Sequence, residues 1–192
     1  MTCIVGYSTK GRVYIGGDSA GVNVNTYGLT VRRDPKVFKN GPAIMGFTTS
    51  FRMGDLLRHA LVIPERHPDE DIDKWMRTTF INAVRDCLKS GGYAEKEKEK
   101  EAGGSFLVGY AGRLFEIEDD YQVGESVDPY NAVGCGSDYA KGAMAAMIKQ
   151  PIGVRDCHLV PRISPEQMIE CALQITERNC AGVRAPFTVV SL

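Results

Sequence analysis

What this chain has little of narrows its function before any motif is read. Neither sign of charge dominates: 23 lysines and arginines stand against 24 aspartates and glutamates, a net charge of -1. That leaves no basic field for holding nucleic acid. No apolar run approaches the ~20 residues a membrane span requires, and the amino end lacks the basic region and long apolar stretch of a secretory signal. The three histidines, His59, His67 and His158, have no ligand spacing. The six cysteines, Cys3, Cys87, Cys135, Cys157, Cys171 and Cys180, form no C-x-x-C pair. They read as reduced thiols of a cytoplasmic protein rather than a disulfide framework or zinc site. No glycine-rich nucleotide motif is present, so any use of ATP belongs to another chain. With no linker and no repeat, residues 1–192 read as one domain.

What is there begins at the amino end. Thr2 follows Met1, and the segment runs through Cys3-Ile4-Val5-Gly6 to Gly16-Gly17-Asp18-Ser19. If Met1 is removed, Thr2 carries a hydroxyl and a free α-amine on one residue. An α-amine titrates near neutrality, so the nucleophile brings its own general base. Asp18, closing the neighbouring strand, is suited to orienting that end.

Residues 3–8 and 12–18 read as a hairpin of two strands, 21–34 as irregular strand and loop, and 36–38 and 42–47 as two more strands. Thr48-Thr49-Ser50 offers an N-cap to a helix with Phe51, Met53, Leu56, Leu57 and Leu61 at helical spacing. Acids at 69–73 open a second helix carrying Ile72, Trp75, Met76, Phe80 and Leu88, which Gly91-Gly92 stops. The alternating Glu–Lys run at 95–101 has no apolar face and reads as a solvated loop or helix extension. Strands follow at 105–110, 113–117 and 131–133. Gly134-Cys135-Gly136-Ser137 then turns into a small-residue helix, Ser164-Pro165 opens a last helix, and 186–192 closes as a strand. The order predicts an α+β domain of layered sheets and helices.

That order, with the residues at its joints, resembles the N-terminal nucleophile hydrolases, and more narrowly proteasome β-type subunits and the bacterial HslV peptidase. The resemblance spans essentially the whole chain and implies a four-layer αββα sandwich. It implies Thr2 as nucleophile, Asp18 and Lys36 as its buried support, Gly46 as the backbone donor facing the oxyanion, and Cys135 where the family has a supporting serine. It also implies a monovalent cation, Na or K, on backbone carbonyls of Glu177, Cys180 and Val183. The specificity pocket would be lined near Gly21, Asp34, Phe38, Ile44 and Thr48.

The function so implied is a threonine-type endopeptidase in a homo-oligomeric ring of stacked hexamers or heptamers, acting on polypeptide, with an ATPase unfoldase as a partner. Two departures keep other readings in view. A thiol at Cys135 is a poorer hydrogen-bonding group than a hydroxyl, and Arg178-Asn179-Cys180-Ala181-Gly182 stands where the family often has Asp-x-x-Ser-Gly. The alternatives are a catalytically silent structural subunit of the same fold and an amidase acting on small substrates.

Overall fold

In the computed structural model, residues 1–23, 25–93, 95–97, 100–148 and 163–192 are described. The expectations concerning Cys157 and His158 lie outside them. β1 (Ile4–Thr9) and β2 (Arg12–Gly17) form the expected hairpin, in a register that pairs Tyr7 with Tyr14. Its tip, Lys10-Gly11, adopts positive φ at both residues, the combination tight hairpins favour. β12 (Tyr130–Val133) pairs on the far side of β1 and β13 (Thr188–Ser191) on the far side of β2, making a four-stranded sheet.

The second sheet has the order β11-β10-β9-β6-β5, built from β5 (Val37–Asn40), β6 (Ala43–Phe47), β9 (Phe106–Tyr110), β10 (Arg113–Ile117) and β11 (Val123–Glu125). β3 (Ala20–Val22) and β4 (Leu29–Val31) form a small separate pair.

Strand alternation sorts the side chains into three stacked cores. Ile4, Val13 and Ile15 point between the sheets, where they meet Val37, Ile44, Leu107, Leu114 and Val133. Their neighbours Val5 and Tyr14 point outward, onto α4 (Ser137–Ile148) and α5 (Pro165–Asn179). The other sheet turns Phe38, Met45, Phe106 and Phe115 onto α1 (Phe51–His59), α2 (Ile72–Trp75) and α3 (Ile81–Ser90). Helix, sheet, sheet and helix are therefore the four layers expected, in an α+β fold.

α2 and α3 form one continuous helix, interrupted by a π turn at Met76–Phe80 that lets Met76 and Phe80 bury beside Trp75. Ser50 caps α1 by accepting the Arg52 N–H, and Ser164 and Gln167 form a capping box on α5.

The Glu–Lys run departs from expectation. It contributes β7 (Glu95–Glu97) and β8 (Lys100–Ala102), an antiparallel pair in which Lys96 is in register with Glu101 and Glu97 with Lys100. A charge alternation of period two matches the period of a strand ladder, so these rungs each pair a lysine with a glutamate.

Candidate active site

Gly17, at the end of β2, opens the space in which the site forms. A Cβ at Gly17 would lie 2.8 Å from Ile4 and 3.1 Å from Val37, and Lys36 Cβ is next at 3.7 Å. Without it, the Lys36 side chain threads between the sheets and is buried to 2% exposure. Its Nζ donates to Asp18 Oδ1 at 2.9 Å and to Thr2 Oγ1 at 2.9 Å.

Asp18 is more fully held. Its carboxylate also accepts the backbone N–H of Cys3 (3.0 Å), Ala20 (2.8 Å) and Arg184 (3.3 Å). With Lys36, that gives the buried carboxylate four hydrogen-bond donors. Burial pulls the Lys36 ammonium below the ordinary lysine range, while the Asp18 charge and hydrogen bond oppose that shift. Thr2, Asp18 and Lys36 thus come together as the sequence implied. With Met1 attached, the Thr2 hydroxyl donates to the Met1 carbonyl at 2.5 Å.

The turn from β12 into α4 delivers Cys135. Gly134 sits at φ +98, a conformation that favours glycine, and a Cβ there would collide with the Thr2 carbonyl. Cys135 Sγ accepts the Thr2 N–H at 3.3 Å and lies 3.4 Å from the Thr2 carbonyl as its donor. Burial pushes the Cys135 thiol up, while the Thr2 N–H acts in the opposite direction. Cys180, at the C-cap of α5, brings its sulfur to 3.4 Å from that of Cys135.

Gly46 does not take the place expected of it. It lies inside β6, in register with Val37 on one side and Leu107 on the other. The Phe47 N–H donates to Lys36 O, just before β5, at 3.1 Å. Strand alternation therefore turns the Gly46 N–H toward β9 and into the ladder. What its missing side chain provides is space, since a Cβ would stand 2.5 Å from Ile4 and 2.9 Å from Ile15.

The backbone that faces Thr2 comes three residues later. Thr49 adopts φ +62 between the end of β6 and the cap of α1, an outlier for a β-branched residue. Its Oγ1 accepts the Ser105 N–H at 3.4 Å and lies 3.1 Å from Thr48 Oγ1. Among the described residues, its own N–H has no acceptor.

Thr49 lines a small cleft of about 70 Å³ together with Met1, Thr2, Val22, Thr48 and Phe51. Of the residues expected to line the pocket, Thr48 is there. Gly21 lines the adjoining groove with Arg32 and Phe51. Phe38 and Ile44 are spent in the helix–sheet and inter-sheet cores, and Asp34 is paired with Arg32 at 2.6 Å. The Arg32 guanidinium lies over the Phe51 ring at 3.8 Å, a cation–π contact with no counterpart among the sequence expectations.

Two of the three carbonyls expected to hold a monovalent cation, those of Cys180 and Val183, already accept a hydrogen bond. Val183 O accepts from the Arg184 guanidinium at 2.6 Å, and Cys180 O accepts the Val183 N–H at 3.2 Å. The carboxylate of Glu177 accepts the Ala185 N–H at 3.0 Å. The Arg184 guanidinium thus lies against one of the carbonyls at which the cation is expected. Among the described residues, no three His, Cys, Asp or Glu side chains cluster as metal ligands, and no helix is long and apolar enough to cross a membrane.

No protein-family profile matches the chain, and no curated protein matches it by sequence. Solved structures do. BPH from Thiobacillus denitrificans, in complex with epoxomicin, superposes with a TM-score of 0.74 at 18% identity, covering 100% of this chain and 98% of that one. Eukaryotic HslV from Trypanosoma brucei gives 0.66 at 18% identity, covering 100% and 99%. Anbu from Yersinia bercovieri gives 0.61 at 16% identity, covering 99% and 81%. The chain therefore has the proteasome-like N-terminal nucleophile hydrolase fold, similar to that of HslV.

Proposed function

We propose that this protein is a threonine-type endopeptidase whose nucleophile is Thr2, released as the N-terminal residue by removal of Met1. The observation that carries the proposal is the buried Lys36 ammonium, 2.9 Å from Thr2 Oγ1 and 2.9 Å from Asp18 Oδ1. An ion pair without a structural need is an expensive thing to bury. One whose ammonium donates to a hydroxyl beside the chain start favours the alkoxide that forms as the hydroxyl gives up its proton.

In the mechanism that follows, the free Thr2 amine accepts the hydroxyl proton as Oγ1 attacks the scissile carbonyl, and returns it to the departing amine. The Thr49 N–H takes the role expected of Gly46. Thr49 lines the cleft beside Thr2, and such a donor to an oxyanion is worth about 3 kcal/mol. Cys135 supports the amine in place of a hydroxyl. Water then hydrolyses the threonyl ester.

The reading extends to a homo-oligomeric ring that confines polypeptide substrates, because the nucleophile is generic and selectivity must come from restricted access. An ATPase unfoldase from another chain would feed such a ring. The test is intact mass after incubating Met1-free protein with a peptide epoxyketone such as epoxomicin, whose two bonds to the residue, closing one ring, need both hydroxyl and free amine. A single adduct mapped to Thr2 supports the proposal. Met1-free protein that takes no adduct overturns it and favours a silent structural subunit. Turnover of small amides without peptide cleavage favours the amidase.

A further inference from the structure

Cys135 and Cys180 approach each other where the start of α4 meets the end of α5. One sits in the turn after β12 and the other caps α5, yet their sulfurs are 3.4 Å apart. Both are free thiols, Cys135 exposed and Cys180 half-buried, so a small oxidant can reach them. Gly182 leaves the room they use: a Cβ there would stand 3.0 Å from Cys135 Sγ. The same Cys135 sulfur holds the Thr2 N–H at 3.3 Å.

From this juxtaposition we infer that Cys135 and Cys180 form a redox-active dithiol that closes to a disulfide under hydrogen peroxide and switches off the adjoining Thr2 site. The Cys135 thiolate attacks a peroxide oxygen, which breaks the O–O bond and gives a sulfenic acid. The departing hydroxide takes up the proton the thiol had released and leaves as water. The Cys180 thiol then attacks the sulfenic sulfur and expels the second water. Two thiols are oxidised, one peroxide is reduced, and a dithiol reductant reverses the change.

An S–S bond is ~2.05 Å long, so the sulfurs must close by about 1.3 Å. That movement, with loss of the S–H proton, removes the donor to the Thr2 carbonyl and draws the acceptor from the Thr2 nitrogen. The competing thiols are placed differently. Cys3 is fully buried, and Cys87 donates to Leu56 O in the opposite helical layer.

The inactivation rests on the proposed threonine chemistry; the disulfide does not. Met1-free full-length protein is treated with hydrogen peroxide, blocked with N-ethylmaleimide, digested and analysed by mass spectrometry. Epoxyketone labelling of Thr2 is followed in parallel. The expected result is a peptide pair joining Cys135 to Cys180 and a labelling rate reduced by about tenfold, the worth of one supporting hydrogen bond. Dithiothreitol restores the rate.

In Cys180→Ser the link is absent, oxidation of Cys135 runs on to sulfinic acid, and dithiothreitol no longer restores labelling. Peroxide-treated wild type in which Cys135 is unlinked, or linked to another cysteine, overturns the dithiol. A Cys135–Cys180 link with unchanged labelling overturns the switch. Reduced protein that takes no epoxyketone defeats the threonine reading, while the peptide map still decides the dithiol.

Discussion

Asp18 and Lys36 form a fully buried ion pair, Nζ to Oδ1 2.9 Å, in which the two partners are unequally provided for. The carboxylate keeps three backbone N–H donors if the lysine is removed, whereas among the described residues the ammonium keeps the Thr2 hydroxyl as its one hydrogen-bond acceptor, with the Phe51 ring 5.9 Å away, if the aspartate is removed. Asp18→Ala should therefore cost about 3–5 kcal/mol of stability, the usual penalty for stranding a buried charge. Lys36→Met should cost less, about 1–3 kcal/mol. Both should lower the rate of Thr2 modification by on the order of 10²-fold or more. Urea unfolding beside epoxyketone labelling separates the effects; equal stability losses in the two variants would contradict the asymmetry.

Gly46 and Thr49 should respond in opposite ways to exchange of their side chains. Gly46→Ala drives a Cβ into Ile4 and Ile15 and should lower stability by about 1–3 kcal/mol, as overpacking does. Thr49→Gly relieves a positive φ while retaining the N–H, so labelling at Thr2 should persist. Thr49→Pro removes the N–H and demands a negative φ, and should abolish labelling. Thermal melts and labelling rates on the three variants check this. Labelling that survives Thr49→Pro in folded protein would show that another donor serves.

The visible and the hidden parts of this site differ for a physical reason. Thr2, Asp18 and Lys36 were legible because their chemistry needs those side chains, and the strands that carry them show plain β patterning. Thr49 was not, because a backbone donor leaves no side-chain signature and its positive φ is not marked by glycine. The family resemblance implies Gly46 as the oxyanion donor, but it is glycine for packing. The approach of Cys135 to Cys180 was equally hidden, since it depends on where α5 ends relative to the turn after β12. β11 escaped notice because Val123-Gly124-Glu125 has too few residues to display a period.

Gly134 separates stability from activity. A Cβ there meets the Thr2 carbonyl and comes within 3.2 Å of Thr48, and φ +98 is itself unfavourable for alanine. Gly134→Ala should displace Thr2 from Lys36, lowering the labelling rate about 10²-fold, as an ångström of misplacement does. Far-ultraviolet circular dichroism should stay native. Full labelling in a folded Gly134→Ala protein would mean that the turn tolerates the extra carbon.

Thiol labelling should report burial through its pH dependence. A thiol whose pKa is raised holds less of the reactive thiolate at any given pH, and its labelling curve moves toward alkaline solution. The Cys135 thiol is raised above the ordinary 9.0 by burial, so iodoacetamide labelling there should keep rising through pH 9 without levelling. Cys3 is pushed up to about 12, chiefly by burial with the Asp18 charge adding to it, and should resist labelling across that range while the protein is folded. Peptide mapping across a series of buffers from neutral to alkaline tests both; a plateau on the acid side of 9.0 at Cys135 would reverse the sign assigned to its environment.

The lone tryptophan and the nucleophile belong to different layers. Trp75 is stacked on Tyr110, ring centroids 4.8 Å apart, beneath the helices of the second sheet. Thr2 depends on the seam between the sheets, where Ile4 and Val37 carry it and Lys36. Heat or pressure that parts the sheets will therefore silence Thr2 while the indole still reports an intact interior. An assay of fluorescence alone would overstate the temperature at which this molecule remains useful.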